Sequence, residues 1–348
     1  MTTSLAPAPA SPAAGLRRHA ATRLLWLGAM VVLLAVLMAA SVSLGVRDVS
    51  AHDILAGLRG MDGTISQAAV VTRVPRTVLA ALAGAALGLS GTAMQAVTRN
   101  PLADPGILGI SGGASLAVVI GLVFLGIGAP LPQSGLAILG AALAAVFVYT
   151  VGSLGRGGAT PLKLALAGAA TTAATSSLVS AVLLPRIDVM TTFRFWQIGG
   201  VGGATATKIW LFVPFVAVGA VICLATSRGM NSLALGDELA SALGENVART
   251  RMIAAAGGVI LCGAAVAATG PIGFVGLVVP HMCRLLIGAD HRWLLPLSAL
   301  AGACLLIAAD VAGRLLVPGQ ELEVGIVTAV LGAPLFIAIV RRQKVREL

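Results

Sequence analysis

Long apolar stretches separated by short polar turns dominate the chain. A helix needs about 20 apolar residues to cross the hydrocarbon core of a bilayer, and most of the stretches approach that length. The pattern therefore predicts an all-α, polytopic membrane protein with about ten transmembrane helices. The eighth stretch is short and rich in glycine, so we expect it to be broken or partly re-entrant. The ten stretches are residues 24–44, 77–97, 107–127, 135–153, 162–184, 205–226, 251–269, 273–288, 294–317 and 324–340.

The amino-acid composition also indicates that lipid surrounds much of the surface of the protein. Only 10% of the 348 residues are charged, against about 25% in a typical soluble domain. The chain also holds 43 glycines, and small residues let helices approach closely in lipid, where no hydrophobic force drives them together. Gly84 and Gly88 are one such small pair at four-residue spacing. We expect membrane lipid to surround the helices.

The basic residues predict the orientation of the helices. If the N terminus lies inside the cell, 15 of the 23 Lys and Arg residues fall on the cytoplasmic side, as the positive-inside rule requires. We therefore predict an N-in, C-in topology. Residues 1–16 are rich in Ala and Pro and are predicted to form a disordered cytoplasmic tail before a transmembrane domain at 17–348. Basic residues are scattered and only 4% of residues are aromatic, so no nucleic-acid partner is expected.

The largest predicted cytoplasmic loop, residues 227–250, lies between the sixth and seventh stretches. Its apolar residues recur at helical spacings, which predicts a short amphipathic helix. Asp237 and Glu238 lie near its start, where the helix dipole favours acids, and Gly244 can end it. The helix could lie on lipid or bind a cytoplasmic protein. Acidic side chains suit an anionic membrane surface poorly, so a docking role is favoured.

The sequence contains few groups that could do chemistry. It has no G-x-x-x-x-G-K-[ST] loop, so we expect no ATP binding through a P-loop. No catalytic constellation is present, and each of the four cysteines lies in an apolar segment without a C-x-x-C pair. We therefore expect a chain that is not an enzyme and binds neither cofactor nor metal.

Intramembrane charges are also scarce. Asp310 and Arg314 are four residues apart on one helix and can pair. A proton-coupled carrier would place unpaired carboxylates or histidines in mid-helix, so the scarcity of such groups favours energy supplied by another subunit. A secondary transporter of a small molecule is the alternative.

Several motifs occur in order along nearly the whole chain. In this order and spacing they resemble those of the permeases of ATP-binding-cassette (ABC) importers for iron-siderophores, haem and vitamin B12. The motifs include Arg73-Val74-Pro75-Arg76, Asn100-Pro101-Leu102-Ala103-Asp104-Pro105-Gly106, LALGDELASALG ending at Gly244, GPIGFVGLVVPH ending at His281, and Leu331-Gly332-Ala333-Pro334.

The resemblance implies partners and a location. A second permease, either a copy or a paralogue, would pair with this chain in the bacterial cytoplasmic (inner) membrane. Two cytoplasmic ATPase subunits would hold ATP and Mg. A periplasmic or lipid-anchored binding protein would deliver an iron-siderophore, haem or cobalamin, which would cross at the interface between the two permeases.

The resemblance also implies site residues. Thr160 resembles in position a gate at the cytoplasmic mouth of the pathway, and the small polar face of the fifth stretch is expected to line it, although such residues also serve as packing contacts. The pathway residues are Thr160, Thr171, Thr172, Thr175 and Ser176. The ATPase-coupling residues are Leu235, Gly236, Asp237, Glu238, Ala240, Leu243 and Gly244.

The resemblance also implies that three arginines on the predicted outer side contact acidic residues of the binding protein, because they match positions that do so in the ABC importer permeases. They are Arg73, Arg76 and Arg314. Arg314 has Asp310 within its own helix. Arg73 and Arg76 have no acidic residue within four positions, so we expect their guanidinium groups to reach outward.

Overall fold

The computed structural model describes residues 12–154, 160–317 and 320–342. Within these ranges the chain forms helices and no strand. The helices are α1 (Pro12–Ser43), α2 (Ala51–Leu58), α3 (Ile65–Thr98), a 3₁₀ helix (Pro105–Leu108), α4 (Ile110–Phe124), α5 (Pro130–Ser153), α6 (Pro161–Leu183), α7 (Ile187–Ile198), α8 (Ala206–Ala225), α9 (Ser227–Leu233), α10 (Asp237–Ala242), α11 (Val247–Thr269), α12 (Val275–Ile287), α13 (His291–Leu315) and α14 (Val324–Arg342).

Each of the ten predicted stretches coincides with one of these helices, and the all-α membrane fold is confirmed. Within the described part of the chain, seven helices are long and apolar enough to cross a bilayer, namely α1, α3, α5, α6, α8, α11 and α13. The remaining three, α4, α12 and α14, are apolar but shorter. The number of crossings therefore stays a prediction, as does the orientation of the N and C termini. The tail at 1–16 lies mostly outside the described residues.

Two helices, α4 and α12, begin near the middle of the bundle. Gly112, in the first turn of α4, contacts Thr175, which lies near the centre of α6. Gly276, at the start of α12, contacts Pro105 in the 3₁₀ helix. Non-helical backbone at this depth requires burial within protein, because lipid cannot satisfy its hydrogen bonds. The 13 residues of α12 thus account for the short eighth stretch.

Helix α3 lies at the centre of the bundle and packs against α11, α12 and α13. Its glycines permit this packing. A Cβ atom at Gly84 would lie 2.2 Å from the carbonyl oxygen of Gly302, and one at Gly91 would lie 1.8 Å from that of Gly276. These backbones touch, so any side chain at these positions forces the helices apart.

We expect Gly84→Val to destabilise the protein, because the new side chain meets backbone that cannot rotate away. Overpacking of this kind costs about 1–3 kcal/mol or more. Gly28→Val is the matched control, since nothing lies within 4 Å of a Cβ at Gly28 on α1. Thermal unfolding of the detergent-solubilised protein measures the difference. Equal midpoints for the two variants would contradict the close α3–α13 contact.

Candidate functional site

Polar side chains gather at the two ends of the bundle. At one end, here called the α10 end, Asp237 accepts a hydrogen bond from Arg251 at 2.9 Å and lies 3.6 Å from Arg99. Asp290 lies at the same end, 3.5 Å from Arg23. Hydrogen bonds from Arg292 lower the pKa of the Asp290 carboxyl. These residues from distant parts of the chain were all predicted to be cytoplasmic, and the fold places them together.

The predicted amphipathic helix is present as α10 and is preceded by α9. Gly236 and Gly244 flank α10 with φ angles of 102° and 85°, a region that favours glycine. Gly244 follows the last residues of the helix, as predicted. Asp237 and Glu238 lie in the first turn. Ala240 is buried and packs inward, so it offers no surface to a partner.

Three leucines on and around α10 face away from the protein. They are 55%, 59% and 69% exposed. Leu239 and Leu243 are four residues apart on α10 and its C-cap, which places them on one side of the helix, and Leu235 lies just before Gly236, at the start of α10. We call Leu235, Leu239 and Leu243 the leucine stripe. Exposed apolar patches bordered by polar residues are typical of interaction sites.

At the opposite end, here called the Arg76 end, an ionic cluster surrounds a buried carboxylate. Asp310 is fully buried. Arg76 donates a hydrogen bond to it through Nε at 2.9 Å, and Arg76 Nη2 lies 2.8 Å from the same carboxylate oxygen. Arg314 Nη2 lies 3.1 Å from its other oxygen, which confirms the predicted pairing within the helix. Arg76 also binds Glu321, in the loop before α14.

The other N–H groups of Arg314, and those of Arg73, donate hydrogen bonds to backbone carbonyl oxygens at and just after the end of α1. Arg314 Nη1 donates to the carbonyl oxygens of Ser41 and Leu44, each at 2.9 Å. Arg73 donates to three carbonyl oxygens at 3.2, 3.1 and 2.7 Å, those of Val42, Ser43 and Arg47.

The expectation that Arg73 and Arg76 reach outward freely is therefore wrong. The acids near Arg76 lie more than 230 residues away in the sequence and are adjacent only in the fold. The three arginines still border an open cavity of about 270 Å³ that Arg47 and Glu321 also line. Their contact with a binding protein stays a prediction.

A larger cavity of about 490 Å³ lies between α4, α6 and α7. Hydroxyl groups line its inner part, and apolar side chains of α6 and α7 line the part nearer the Arg76 end. The hydroxyl residues are Ser111, Ser115, Thr172, Ser176 and Ser180. A second groove continues along α6, past Ala173 and Ala169 to Ala165, and shares Thr172 and Ser176 with the cavity.

The predicted pathway residues divide into two groups. Thr172 and Ser176 are exposed and line the cavity. Thr171 and Thr175 are buried and pack against Gly109 and Gly112 of the neighbouring segment, so these two serve helix packing. Thr160 caps α6 by accepting a hydrogen bond from the backbone N–H of Lys163. It lies about 18 Å from Thr172 along the helix axis, outside the cavity.

Sequence reasoning missed α7, which supplies one wall of the cavity. Its 12 residues are too few to span a bilayer, so it was not marked as a transmembrane stretch. The available signal was the helical spacing of Met190, Arg194 and Gln197, between the fifth and sixth stretches.

Comparison with known proteins decides the family. The model of the FecCD transport family matches residues 33–342. The chain belongs to the FecCD transport family. It is 42% identical over 325 residues to the ferric enterobactin transport system permease protein FepD of Escherichia coli, covering 93% of this chain and 97% of that protein. It is 40% identical to the hemin transport system permease protein HmuU of Yersinia pestis, covering 78% of this chain and 82% of that protein.

A solved structure has the same fold. It is described as an inward-facing conformation of a metal-chelate type ABC transporter, with a TM-score of 0.79 and 28% identity, covering 92% of this chain and 99% of that one. The predicted resemblance to ABC importer permeases is confirmed. This FecCD-family chain is a multi-pass membrane protein with a transport role. Family membership implies a permease dimer with ATPase and binding-protein partners.

Proposed function

We propose that this chain moves a metal chelate across the cytoplasmic membrane along the exposed polar face of α6. The cavity that opens beside Thr172 and Ser176 carries this proposal. Its hydroxyl groups and the adjoining alanines offer a surface that a polar solute can pass without strong binding. A second permease, a copy or a paralogue, would face α6 and close the groove into a pathway.

The energy would come from ATPase subunits that bind the leucine stripe at the α10 end. This chain would bind neither ATP nor Mg and would catalyse no reaction. Charge supports a protein partner over lipid here, because Glu238 is exposed next to the stripe and acids are repelled by an anionic membrane surface. The α10 end would then face the cytoplasm and the Arg76 end the periplasm of a bacterial inner membrane.

A binding protein would dock on the Arg76 end. Arg47, Arg73, Arg76 and Arg314 border the cavity there, with Glu321 as the acid in its lining. This excess of positive charge suits carboxylates on a partner. Relatives named for ferric enterobactin and for hemin support an iron chelate as the cargo. Cobalamin, for which another relative is named, is the less favoured cargo.

Reconstitution tests this function. The chain is placed in liposomes with its ATPase and binding protein, and uptake of a radiolabelled ferric chelate is measured with ATP, without ATP and with a non-hydrolysable analogue. We expect uptake only with hydrolysable ATP. Uptake driven by an ion gradient in liposomes that hold the chain alone would instead establish a secondary transporter.

A further inference from the structure

The cavity beside α6 has one ionised side chain among the described residues of its lining. Among the described residues that border it, Arg194 is charged and no carboxylate is present. Arg194 is exposed and makes no hydrogen bond or ion pair with any described residue. Arg76 and Arg314 differ from it, because Arg76 is paired with Asp310 and Glu321, and Arg314 with Asp310 and the carbonyl oxygens of Ser41 and Leu44. The positive charge of Arg194 is therefore available to a solute.

The geometry of α7 directs polar donors into the cavity. Met190, Arg194 and Gln197 recur at four- and three-residue spacings, which places them on one face of the helix, and all three line the cavity. Gln197 adds an amide to the guanidinium group. On the opposite wall, α4 begins after Gly109, which has no side chain to cap the helix. The positive end of its dipole therefore adds to the field of Arg194.

The hydroxyl groups of the cavity provide donors as well. Thr172 and Ser180 donate to carbonyl oxygens of their own helix. Ser111, Ser115 and Ser176 make no side-chain hydrogen bond with the described residues and can donate to a solute. Among the described residues, the lining thus combines one cation with several neutral donors and contains no anionic acceptor.

We propose that Arg194 makes this cavity selective for ferric chelates with net negative charge. The inference rests on the proposed function of the cavity as the transport pathway, and names the class of its substrate. Three dianionic catecholates around Fe³⁺ leave excess negative charge, whereas three monoanionic hydroxamates neutralise the ion. A low-dielectric wall focuses the field of one charge and raises the local concentration of counter-ions. Ferric tris-catecholates therefore enter more readily than ferric tris-hydroxamates or cationic chelates.

The first test measures the electrostatic potential directly. The four native cysteines are buried and are replaced by alanine, and Ser180→Cys then places a thiol in the cavity. Membrane vesicles are treated with an anionic and a cationic methanethiosulfonate, and the ratio of the two modification rates is determined at low salt. Arg194→Gln should lower the ratio of anionic to cationic rate about tenfold, with a smaller effect at high salt.

Arg186→Gln is the matched control for this measurement. Arg186 is exposed directly before α7 but does not line the cavity. Its removal should change the ratio less than about twofold, because solvent screens a charge outside the cavity. A ratio that Arg194→Gln leaves unchanged, or that Arg186→Gln lowers equally, would overturn the proposal.

The second test uses chelates as protecting ligands. A synthetic ferric tris-catecholate and a ferric tris-hydroxamate of similar size compete with a neutral thiol reagent for the Ser180→Cys variant. The catecholate should protect at about fivefold lower concentration, the effect of about one exposed charge pair, and Arg194→Gln should abolish the difference. Equal protection by both chelates, or none by the catecholate, would contradict the charge preference. Neither test needs the ATPase or the binding protein. If these tests fail while ATP-driven uptake is observed, the preference for anionic chelates is refuted and the proposed transport function stands.

Discussion

Replacing Asp310 with asparagine is expected to lower the free energy of unfolding by about 3–5 kcal/mol. Asp310 is fully buried and neutralises two arginines, Arg76 and Arg314, which are themselves largely buried. Asparagine has the same shape but no charge. It leaves two guanidinium groups without their shared counter-ion in a site that excludes water, and that arrangement is strongly unfavourable.

The measurement is unfolding of the detergent-solubilised protein, followed by loss of helical circular dichroism. Glu321→Gln is the control, since Glu321 also pairs with Arg76 but its side chain is 49% exposed. Exposed pairs contribute about 0–1 kcal/mol, so this variant should remain close to the parent. In a double-mutant cycle, Arg314→Gln should lower the free energy of unfolding less in the Asp310→Asn variant than in the parent protein. Stability of Asp310→Asn equal to that of the parent would show that the cluster is not held by this carboxylate.

Truncating the leucine stripe is expected to abolish ATP-driven uptake while the permease stays folded. Leu235, Leu239 and Leu243 are more than half exposed, so the fold depends little on them. Covering their remaining exposed surface against a partner stabilises a complex by about 3–4 kcal/mol in total. Replacement of all three by alanine should therefore weaken ATPase binding by several hundredfold.

Copurification of the ATPase and uptake into reconstituted liposomes measure this effect. The control replaces Leu139 and Leu143 on α5 by alanine, because these are 55% and 62% exposed but lie within a predicted span. We expect it to retain both ATPase binding and uptake. If the stripe variant also retains both, α10 lies on lipid, the alternative that its amphipathic pattern left open.

Local patterns in the sequence determined much of this protein. The length of an apolar run decides whether a segment can cross lipid, and each of the ten stretches became a helix. Capping and pairing within one helix are equally local. Thr160 caps the start of α6, Gly244 follows α10, and Asp310 pairs with Arg314 four residues on. Family motifs then indicated the transport role, because they extend along nearly the whole chain.

Only the tertiary structure decided which face of each helix packs against other helices and which face lines a cavity. Helical periodicity places Thr171 with Thr175 and Thr172 with Ser176, but does not say which pair meets α4 and which meets the cavity. The same holds for Arg76, whose acidic partners come from the far end of the chain, and for Arg194, whose helix is too short to be recognised as a transmembrane stretch. Contacts between helices depend on how their axes are arranged in space. That arrangement follows from close backbone contacts such as Gly84 with Gly302, which no single segment of sequence contains.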